Sequence, residues 1–454
     1  RMKIKTSTFL VVGAGKSGIA SAVYLAKEGA QVYLTDMKQA QEMVTVDKEI
    51  EKHANIKTIW GQNPKIEDIM PDTIIVSPGV PLTTPLIQEG FKRNIEVISE
   101  LELAYRVANS PFIAVTGTNG KTTTTALIGQ LFQDNDRNVL VGGNIGIPLI
   151  EEVSKFNNND LIVAEVSSFQ LETIKNFKPR FAVILNITPD HLDRHLTLEK
   201  YKEAKANIFK NQEVEDFLVL NYDDPLVKNL AFDAKSQVIF FSRKNILEEG
   251  VYLSQGQIVI NIGEGPVPIC DPQEIFIKGA HNLENAMAAI AVGYMMGLKP
   301  EEIKKTLITF KGVAHRLEFV TEIDGIKFIN DSKGTNPDAS IKALESYTAP
   351  IVLIAGGKNK GNDFGEFADE IKKHVKHLVL VGQAAPEIEA AVEDKGFKNY
   401  YRVTTFAEAV HKAYELAEKG DVVLLSPGCA SWDMFDSFEQ RGDYFKELVY
   451  GLKN

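Results

Sequence analysis

The sequence contains little that is typical of a secreted, membrane-spanning or nucleic-acid-binding protein. Only two cysteines occur among its 454 residues, Cys270 and Cys429, and they lie far apart in the chain. Two such residues cannot form a zinc cluster, and an unbridged pair is typical of a reducing cytoplasm. The net charge of −11 argues against general binding to nucleic acid or membrane surfaces, because phosphate-rich surfaces require a basic protein face.

Long hydrophobic runs are also absent. The longest one, residues 286–298, falls short of the ~20 residues that a membrane-spanning helix needs, and it predicts a buried helix instead. The apolar residues 9–12 form a short run that ends in a glycine turn, so we expect no signal peptide. Hydrophobic residues make up 44% of the chain, enough for sizeable cores, and its length suggests about three domains of ~150 residues.

Strand-like runs alternate with helical patterns along most of the chain. This alternation predicts an α/β protein with parallel sheets and crossover helices. We place three domains at residues 1–109, 110–313 and 314–454, with a small β addition over residues 237–268. The predicted strands span residues 8–12, 31–35, 73–76, 111–115, 138–141, 161–165, 181–187, 327–330, 351–355, 377–381 and 421–425.

The most informative segment is a glycine-containing loop between a predicted strand and a predicted helix. Glycines let backbone N–H groups converge on phosphate oxygens, and a helix N-terminus adds a positive dipole end. Lys121 would neutralise the outer phosphates of a nucleotide, and the Thr122 hydroxyl could hold Mg²⁺. Val115 stands where the usual phosphate loop has its first glycine, which predicts a tighter loop. The candidate ATP-binding residues are Gly117, Thr118, Asn119, Gly120, Lys121, Thr122 and Thr123.

A second nucleotide-type loop lies near the start of the chain. Residues 13–18 match G-x-G-x-x-G after a predicted strand, and Asp36 ends the following strand. This spacing suits a pyrophosphate on the helix N-terminus and a ribose on the carboxylate. Any nucleotide diphosphate fits the same geometry, so NAD is one candidate among several. A tight turn without a ligand is the structural alternative.

Polar side chains follow two further predicted strands and begin one helix. Glu165 ends a strand beside the phosphate loop, where an acid commonly serves Mg²⁺; a solvated carboxylate is the simpler alternative. His191 lies in a polar run after the next strand and is either a metal ligand or a hydrogen-bonded structural histidine. Asn282 and Asn285 lie on neighbouring turns of one helix and either read an adenine edge or satisfy the backbone.

Together these segments resemble the Mur ligase family of ATP-dependent amide-forming ligases. The likeness runs in order from Gly13 to Gly442 and covers nearly the whole chain. The family's shared motifs match residues 117–123, 281–285, 315–316 and 330–333, and motifs of its D-glutamate-adding branch match residues 143–146, 165–171, 426–431 and 438–442. The Asp-Asn-Pro-Arg signature of the branch that adds a diamino acid is absent from the sequence.

The resemblance implies a Rossmann-like N-terminal domain, a central P-loop-type ATPase domain with a parallel sheet, and a Rossmann-like C-terminal domain. It also implies a reaction: ATP phosphorylates the carboxylate of UDP-N-acetylmuramoyl-L-alanine, and the amine of D-glutamate then attacks the acyl phosphate. ATP and two Mg²⁺ ions are expected at the site. Beyond these small molecules the resemblance suggests no macromolecular partner, so we expect a cytoplasmic monomer.

The resemblance further assigns roles to individual residues. Lys121 and Arg316 are expected to supply positive charge, and Thr122 and Glu165 to hold one Mg²⁺. A second Mg²⁺ is expected at His191 and at Lys205, which would be carbamylated and therefore anionic. Further ATP contacts are expected from Asn282, Asn285, Arg316, Asp331 and Lys333. The UDP-linked substrate is expected at Gly15, Lys16, Ser17, Asp36, Ser77, Gly79, Asn144 and Ser167.

The resemblance places D-glutamate in the C-terminal domain. The expected contacts are Thr335, Lys360, Ser431 and Phe438. Lys358-Asn359 after the double glycine departs from the family's pattern, which leaves Lys360 as the expected carboxylate anchor and Lys358 as the alternative.

Three other functions are compatible with parts of the sequence. An NAD-dependent oxidoreductase would explain the loop at residues 13–18 with Asp36, but it leaves Lys121 without a role. A regulatory ATP-binding switch protein would explain the phosphate loop alone. A Mur-type amide ligase that adds a different amino acid would explain every shared motif, because preference for D-glutamate rests on the resemblance.

Overall fold

A computed structural model of the chain describes residues 2–144, 147–187 and 197–453. It confirms the α/β class, because strands and helices alternate and the described strands form three largely parallel sheets. The chain forms two compact units, residues 1–310 and 311–454. No helix in the described part of the chain is long and apolar enough to span a membrane.

The first sheet is fully parallel and has the strand order β3-β2-β1-β4-β5. Its inner strands are buried and apolar, as expected where helices cover both faces of a sheet. The strands are β1 (Thr8–Val12), β2 (Gln31–Asp36), β3 (Ile56–Trp60), β4 (Thr73–Val76) and β5 (Glu96–Ile98). The helices are α1 (Lys16–Lys27), α2 (Val44–Ile50), α3 (Ile66–Ile69), α4 (Pro85–Lys92) and α5 (Glu100–Val107).

The second sheet belongs to the same unit and has the order β14-β13-β12-β11-β10-β9-β6-β8-β7. Strands β7 to β12 and β6 pair in parallel, and β13 and β14 add an antiparallel edge. The strands are β6 (Phe112–Thr116), β7 (Val139–Gly143), β8 (Leu161–Glu165), β9 (Phe181–Ile184), β10 (Phe217–Asn221), β11 (Gln237–Ser242), β12 (Gly250–Ser254), β13 (Gln257–Asn261) and β14 (Val267–Cys270). The helices are α6 (Lys121–Gln133), α7 (Leu149–Glu152), α8 (Ser168–Leu171), α9 (Leu198–Ala206), α10 (Pro225–Lys228), α11 (Ala280–Met295) and α12 (Pro300–Thr309).

A buried carboxylate fastens the first sheet region to the second within this unit. Glu102, on α5, is fully buried, and its oxygens accept from the backbone N–H groups of Lys175, Asn176 and Phe177. Arg106 donates to the same carboxylate over 3.0 Å. Because a buried carboxylate is costly unless it is hydrogen-bonded and paired, this full set of donors is what makes the position tolerable.

The second unit contains the third sheet, with the order β15-β16-β20-β17-β18-β19. All its pairs are parallel except the antiparallel pair of β15 and β16. The strands are β15 (Glu318–Ile323), β16 (Ile326–Asn330), β17 (Ile351–Ala355), β18 (Val375–Leu380), β19 (Tyr400–Arg402) and β20 (Val422–Leu425). The helices are α13 (Pro337–Glu345), α14 (Gly365–His374), α15 (Ala385–Asp394), α16 (Phe406–Leu416) and α17 (Phe438–Gly451).

Each predicted strand is present, with ends that differ by up to three residues. The strand predicted at residues 181–187 ends at Ile184, because its partner β6 ends at Thr116. The last bond of this pairing runs from Leu185 N–H to the Thr116 carbonyl. The β addition predicted over residues 237–268 is confirmed as β11 to β14. The prediction omitted β3, β5, β10, β15 and β19.

Candidate active site

The glycine loop (residues 117–121) connects the end of β6 to the start of α6, at the carboxyl edge of the second sheet. Asn186, just beyond β9, fixes this loop from the side. Its carbonyl accepts from Thr118 N–H over 3.0 Å, its Oδ1 accepts from Asn119 N–H over 2.8 Å, and its Nδ2 donates to the Asn119 carbonyl. The loop is therefore held in one shape before any ligand binds.

Gly120 leaves the N-terminus of α6 open. Its φ of 84° lies in the left-handed region that favours glycine, and it has no side chain with which to cap the helix. A β-carbon here would collide with the amide of Asn285, so α11 packs directly against the loop. Asn285 in turn donates to Asn282 Oδ1 over 3.2 Å. The first-turn N–H groups and the dipole of a 13-residue helix suit a phosphate.

A hydroxyl and a carboxylate meet behind the loop. Thr122 Oγ1 donates to Glu165 Oε2 over 3.0 Å, and both residues are buried. These two oxygen donors fit a hard cation such as Mg²⁺, which prefers oxygen ligands near phosphates. Within residues 2–144, 147–187 and 197–453, no three His, Cys, Asp or Glu side chains cluster as a metal site. His191, expected at the second ion, lies outside the described residues.

Two lysine ammonium groups bond the same backbone oxygen. Lys121 Nζ donates to the carbonyl of Gly117 over 2.7 Å, and Lys205 Nζ donates to it over 2.9 Å. Lys205 is only 1% exposed, and its Nζ also donates to Thr116 Oγ1 and lies 4.9 Å from the centroid of the Tyr201 ring. The structure thus brings Lys121, Thr122, Glu165 and Lys205 together around one loop.

The first-sheet loop (residues 13–18) is also tightly built. Gly13 has a φ of 101°, and a β-carbon on Gly18 would collide with the Gly13 carbonyl, so both glycines are required by the close turn. Asp36 Oδ2 accepts from Ala14 N–H over 2.9 Å, so this carboxylate holds its own loop. Ser77 Oγ donates to the Gly13 carbonyl over 3.2 Å.

The other residues expected at the UDP-linked substrate differ in exposure. Gly15, Lys16 and Gly79 are exposed or half-buried, and β-carbons on the two glycines would meet no neighbouring atom. Asn144 is exposed at the end of β7. Ser167 is buried and caps α8, where its hydroxyl accepts from Gln170 N–H over 3.2 Å. The structure brings Asn144 close to Glu165, whose carbonyl accepts from Asn144 N–H over 2.8 Å.

In the second unit, Arg316 lies on a strained segment. Its neighbours His315 and Leu317 both have left-handed backbones, with φ of 66° and 43°, which is uncommon for residues other than glycine. Leu317 N–H donates to Asp331 Oδ1, and Ser426 Oγ donates to Asp331 Oδ2 over 2.7 Å. Burial raises the pKa of Asp331 to about 6. Lys333 N–H bonds the His315 carbonyl over 3.0 Å, which ties the two segments together.

The residues expected at D-glutamate lie on loops at the carboxyl edge of the third sheet. Lys360 is exposed, and its Nζ lies 3.7 Å from the centroid of the Trp432 ring. Lys358 instead pairs through its backbone with Ala430, so it fastens the two loops together. Ser431 is buried beside Trp432, and Phe438 begins α17.

Comparisons with known proteins agree with this geometry. The family profile described as Mur ligase middle domain matches residues 115–293, and the one described as Mur ligase, glutamate ligase domain matches residues 315–429. A third, described as Mur ligase MurD-like, N-terminal domain, matches residues 7–99. The chain belongs to the Mur ligase family.

Two relatives are similar to this Mur ligase over nearly its whole length. A UDP-N-acetylmuramoylalanine--D-glutamate ligase from Pelotomaculum thermopropionicum is 54% identical, with 98% of this chain and 97% of that protein aligned. The protein of the same name from Clostridioides difficile is 48% identical over the full length of both chains.

Solved structures agree on the fold. The UDP-N-acetylmuramate-alanine ligase of Thermotoga maritima aligns with a TM-score of 0.53 and 20% identity, covering 99% of this chain and all of that one. A pseudomurein peptide ligase type C from Methanothermus fervidus aligns with a TM-score of 0.51 and 19% identity, covering 98% of this chain and all of that one. At this identity the likeness concerns the Mur ligase fold alone.

Several residues of this Mur ligase site received no role from the sequence. Asn186 lies near the end of the strand predicted at residues 181–187, and this position at a strand end is the signal that could have drawn attention to it. Tyr201, whose hydroxyl lies 3.3 Å from Thr118 Oγ1, and Trp432 each stand one or a few residues from a predicted site residue. Arg441 lies inside a family motif, but only the structure shows that it is buried and which groups its guanidinium contacts.

Proposed function

We propose that this Mur ligase joins D-glutamate to UDP-N-acetylmuramoyl-L-alanine and cleaves ATP to drive the reaction. The observation that carries the proposal is the near-full-length identity of about half to relatives that bear this activity in their names. The glycine loop with Lys121, Thr122 and Glu165 supports the use of ATP.

Phosphoryl transfer is the first step of the proposed reaction. The substrate carboxylate attacks the γ-phosphorus, ADP leaves, and an acyl phosphate forms. Catalysis of such a step depends on positioning and on neutralising negative charge rather than on covalent chemistry by the protein. Lys121 and the N–H groups of the glycine loop meet this need, and Arg316 is proposed as a further cation. Asn282, Asn285, Asp331 and Lys333 are proposed to hold the rest of ATP.

Thr122 and Glu165 are the residues that would hold a Mg²⁺ ion through their oxygens. When bound, it would screen the negative charge of the phosphates. Lys205 as a carbamate is proposed as a ligand of a second ion, together with His191.

Amide formation is the second step. The uncharged amine of D-glutamate attacks the acyl carbon, and the tetrahedral intermediate releases phosphate. Both carboxylates of D-glutamate need cationic or N–H partners once water is excluded. We propose Lys360 as one such partner, with hydrogen bonds from Thr335 and Ser431 and an apolar contact from Phe438.

The UDP-linked substrate is proposed to bind the first sheet. Gly15 and Gly79 leave room for close approach, and Lys16, Ser17 and Ser77 are proposed to contact the diphosphate. Asp36 keeps lone pairs for the nucleoside even while it holds Ala14 N–H. Asn144 and Ser167 are proposed nearer the reacting end. We propose three functional domains, at residues 1–109, 110–313 and 314–454. We also propose that the protein is a cytoplasmic monomer.

The activity is tested by measuring ADP release with the UDP-linked acceptor and a panel of amino acids. We expect ADP release that depends on both the acceptor and D-glutamate, much less with L-glutamate, and no change in nicotinamide absorbance. Equal or faster turnover with another amino acid would assign a different Mur-type ligase. Release that is independent of any acceptor would favour a regulatory ATPase.

Replacing Lys360 by alanine should raise the KM for D-glutamate by ~10-fold or more and leave the KM for ATP nearly unchanged. A charge-assisted contact made in the ground state acts mainly on KM, whereas one made in the transition state acts on kcat. Lys358→Ala is the matched control, because Lys358 contributes its backbone to the Ala430 pairing and its side chain is exposed. If only Lys358→Ala raised this KM, the anchor would be Lys358.

A further inference from the structure

Arg441 is a cation that the reaction as proposed does not use. It lies in the first turn of α17 and is the largest fully buried side chain in the described part of the chain, at 1% exposed. Burial lowers the pKa of its guanidinium to about 10, so it remains charged at neutral pH. A buried charge is costly unless its environment compensates for it, so its position calls for a functional reason.

The guanidinium bonds two loops rather than a carboxylate. Nε donates to Ser332 Oγ over 2.9 Å, Nη2 donates to the Ser332 carbonyl over 2.7 Å, and Nη1 donates to the Cys429 carbonyl over 3.0 Å. Asp433 and Asp331 act on its charge, but neither is an ion-pair partner of Arg441 among the described residues. Its planar fork, which presents donors in fixed directions, therefore sets the distance between the Ser332 and Cys429 loops.

Both segments that Arg441 touches carry a residue proposed to contact D-glutamate, and the Ser332 segment also carries Asp331 and Lys333, which are proposed to contact ATP. Thr335 is three residues beyond Ser332, and Ser431 is two residues beyond Cys429. Ser332 Oγ also donates to the carbonyl of Phe438 over 2.7 Å.

The loop that carries Lys360 approaches the same guanidinium. Gly357, three residues before Lys360, has a φ of 142°. A β-carbon at Gly357 would collide with the Ala430 carbonyl oxygen and would also lie 3.3 Å from Arg441 Nη1, so glycine permits this loop to approach both groups.

We propose that Arg441 is a positioning residue of the amino-acid site. Through its bonds to Ser332 and Cys429, Arg441 holds Thr335, Ser431 and Phe438 at fixed separations. Because the Arg441 side chain is buried, it acts through these neighbouring residues and does not touch the substrate. The inference rests on the proposed function, because it takes those three residues as the contacts of D-glutamate. Its charge adds positive potential under a ligand that bears two carboxylates.

The test compares Arg441→Lys and Ser332→Ala in the full chain. Lysine keeps the charge but loses the fork, and alanine at 332 removes the hydroxyl that links Arg441 to Phe438. We expect the KM for D-glutamate to rise ~10–100-fold in Arg441→Lys and ~3–10-fold in Ser332→Ala, since small misplacements of contact groups are costly. The KM for ATP should rise less, because only the Ser332 segment carries residues proposed to contact ATP. Melting temperatures are measured alongside.

Ser340→Ala is the matched control. Ser340 is equally buried in the same unit, and its Oγ lies 2.8 Å from Ser426 Oγ, but it does not bond Arg441. We expect its KM for D-glutamate to equal that of the parent. If Arg441→Lys does not fold, the Ser332→Ala and Ser340→Ala pair decides the matter.

Two results would overturn the inference: an unchanged KM for D-glutamate in the folded variants, or an equal rise in the KM for ATP, which indicates a general structural role. A parent enzyme that does not use D-glutamate would instead defeat the proposed function, and the inference with it. A parent that uses D-glutamate, with a selective rise in its KM in Ser332→Ala and none in Ser340→Ala, supports both.

Discussion

Replacing Lys121 by alanine is expected to slow ADP release by at least ~10²–10³-fold, because one preorganised positive group at a charged transition state is worth about that much. The ammonium of Lys121 lies over the glycine loop, on the Gly117 carbonyl, at the open end of α6. A phosphoryl group bound at that helix end would meet this cation directly. The measurement is ADP release at saturating ATP, UDP-linked acceptor and D-glutamate.

The Lys121→Ala variant should keep its fold. The contacts of Lys121 with Gly117 and Thr118 lie within its own loop, and alanine is the residue that most favours a helix. Lys155→Ala is a suitable control, because Lys155 is 64% exposed in the same unit and pairs with Glu152. A folded Lys121→Ala enzyme with near-normal ADP release would defeat the assignment of the ATP loop.

Much of the fold was predictable because its strands are short, apolar and separated by glycine or polar turns. The runs at β1, β4, β8 and β17 begin and end where the pattern predicts. Strands β5 and β19 have only three residues, too few for a period to show. Strand β10 is different: its five residues are buried, and its apolar run carries the signal of a central strand.

The candidate site was predictable wherever function depends on backbone geometry and local order. Glycines before a Lys-Thr pair and a helix predict a phosphate loop, since φ angles and helix dipoles are local properties. Contacts between side chains that are distant in the sequence cannot be predicted in this way, because they depend on the tertiary fold. The bond between Thr122 and Glu165 joins residues 43 positions apart, and the bond between Arg441 and Ser332 joins residues 109 positions apart.

The sequence could not show whether Asp36 binds a ligand, holds its own loop, or does both. Its distance from the first-sheet loop predicts a carboxylate that accepts from a nucleoside. The structure shows both of its oxygens accepting from backbone N–H groups, of Ala14 and of Lys38. A carboxylate accepts more than two hydrogen bonds, so a ligand contact remains compatible with this loop-holding role.

Lys205→Ala is expected to be nearly inactive, with a loss of ~10²–10³-fold, and to regain activity with added short carboxylates. An electrostatic argument supports the carbamylation that we propose for Lys205. The ammonium groups of Lys205 and Lys121 bond the same carbonyl oxygen of Gly117, and like charges this close repel each other in a buried setting. Adding carbon dioxide to one of these amines replaces repulsion with attraction and supplies oxygens that suit a hard cation.

Two measurements separate a carbamate from a simple buried ammonium. Carbon-13 NMR of the enzyme in labelled bicarbonate should show a carbamate signal in the parent that is lost in Lys205→Ala. Acetate or formate should then restore ADP release in the variant, because a small carboxylate can occupy the space that the carbamate leaves. Lys210→Ala serves as the control, since Lys210 lies five residues further on and donates to the Ile174 carbonyl over 2.8 Å. Full activity of Lys205→Ala in carboxylate-free buffer would refute the role, and inactivity without rescue or signal would show that Lys205 acts as a cation.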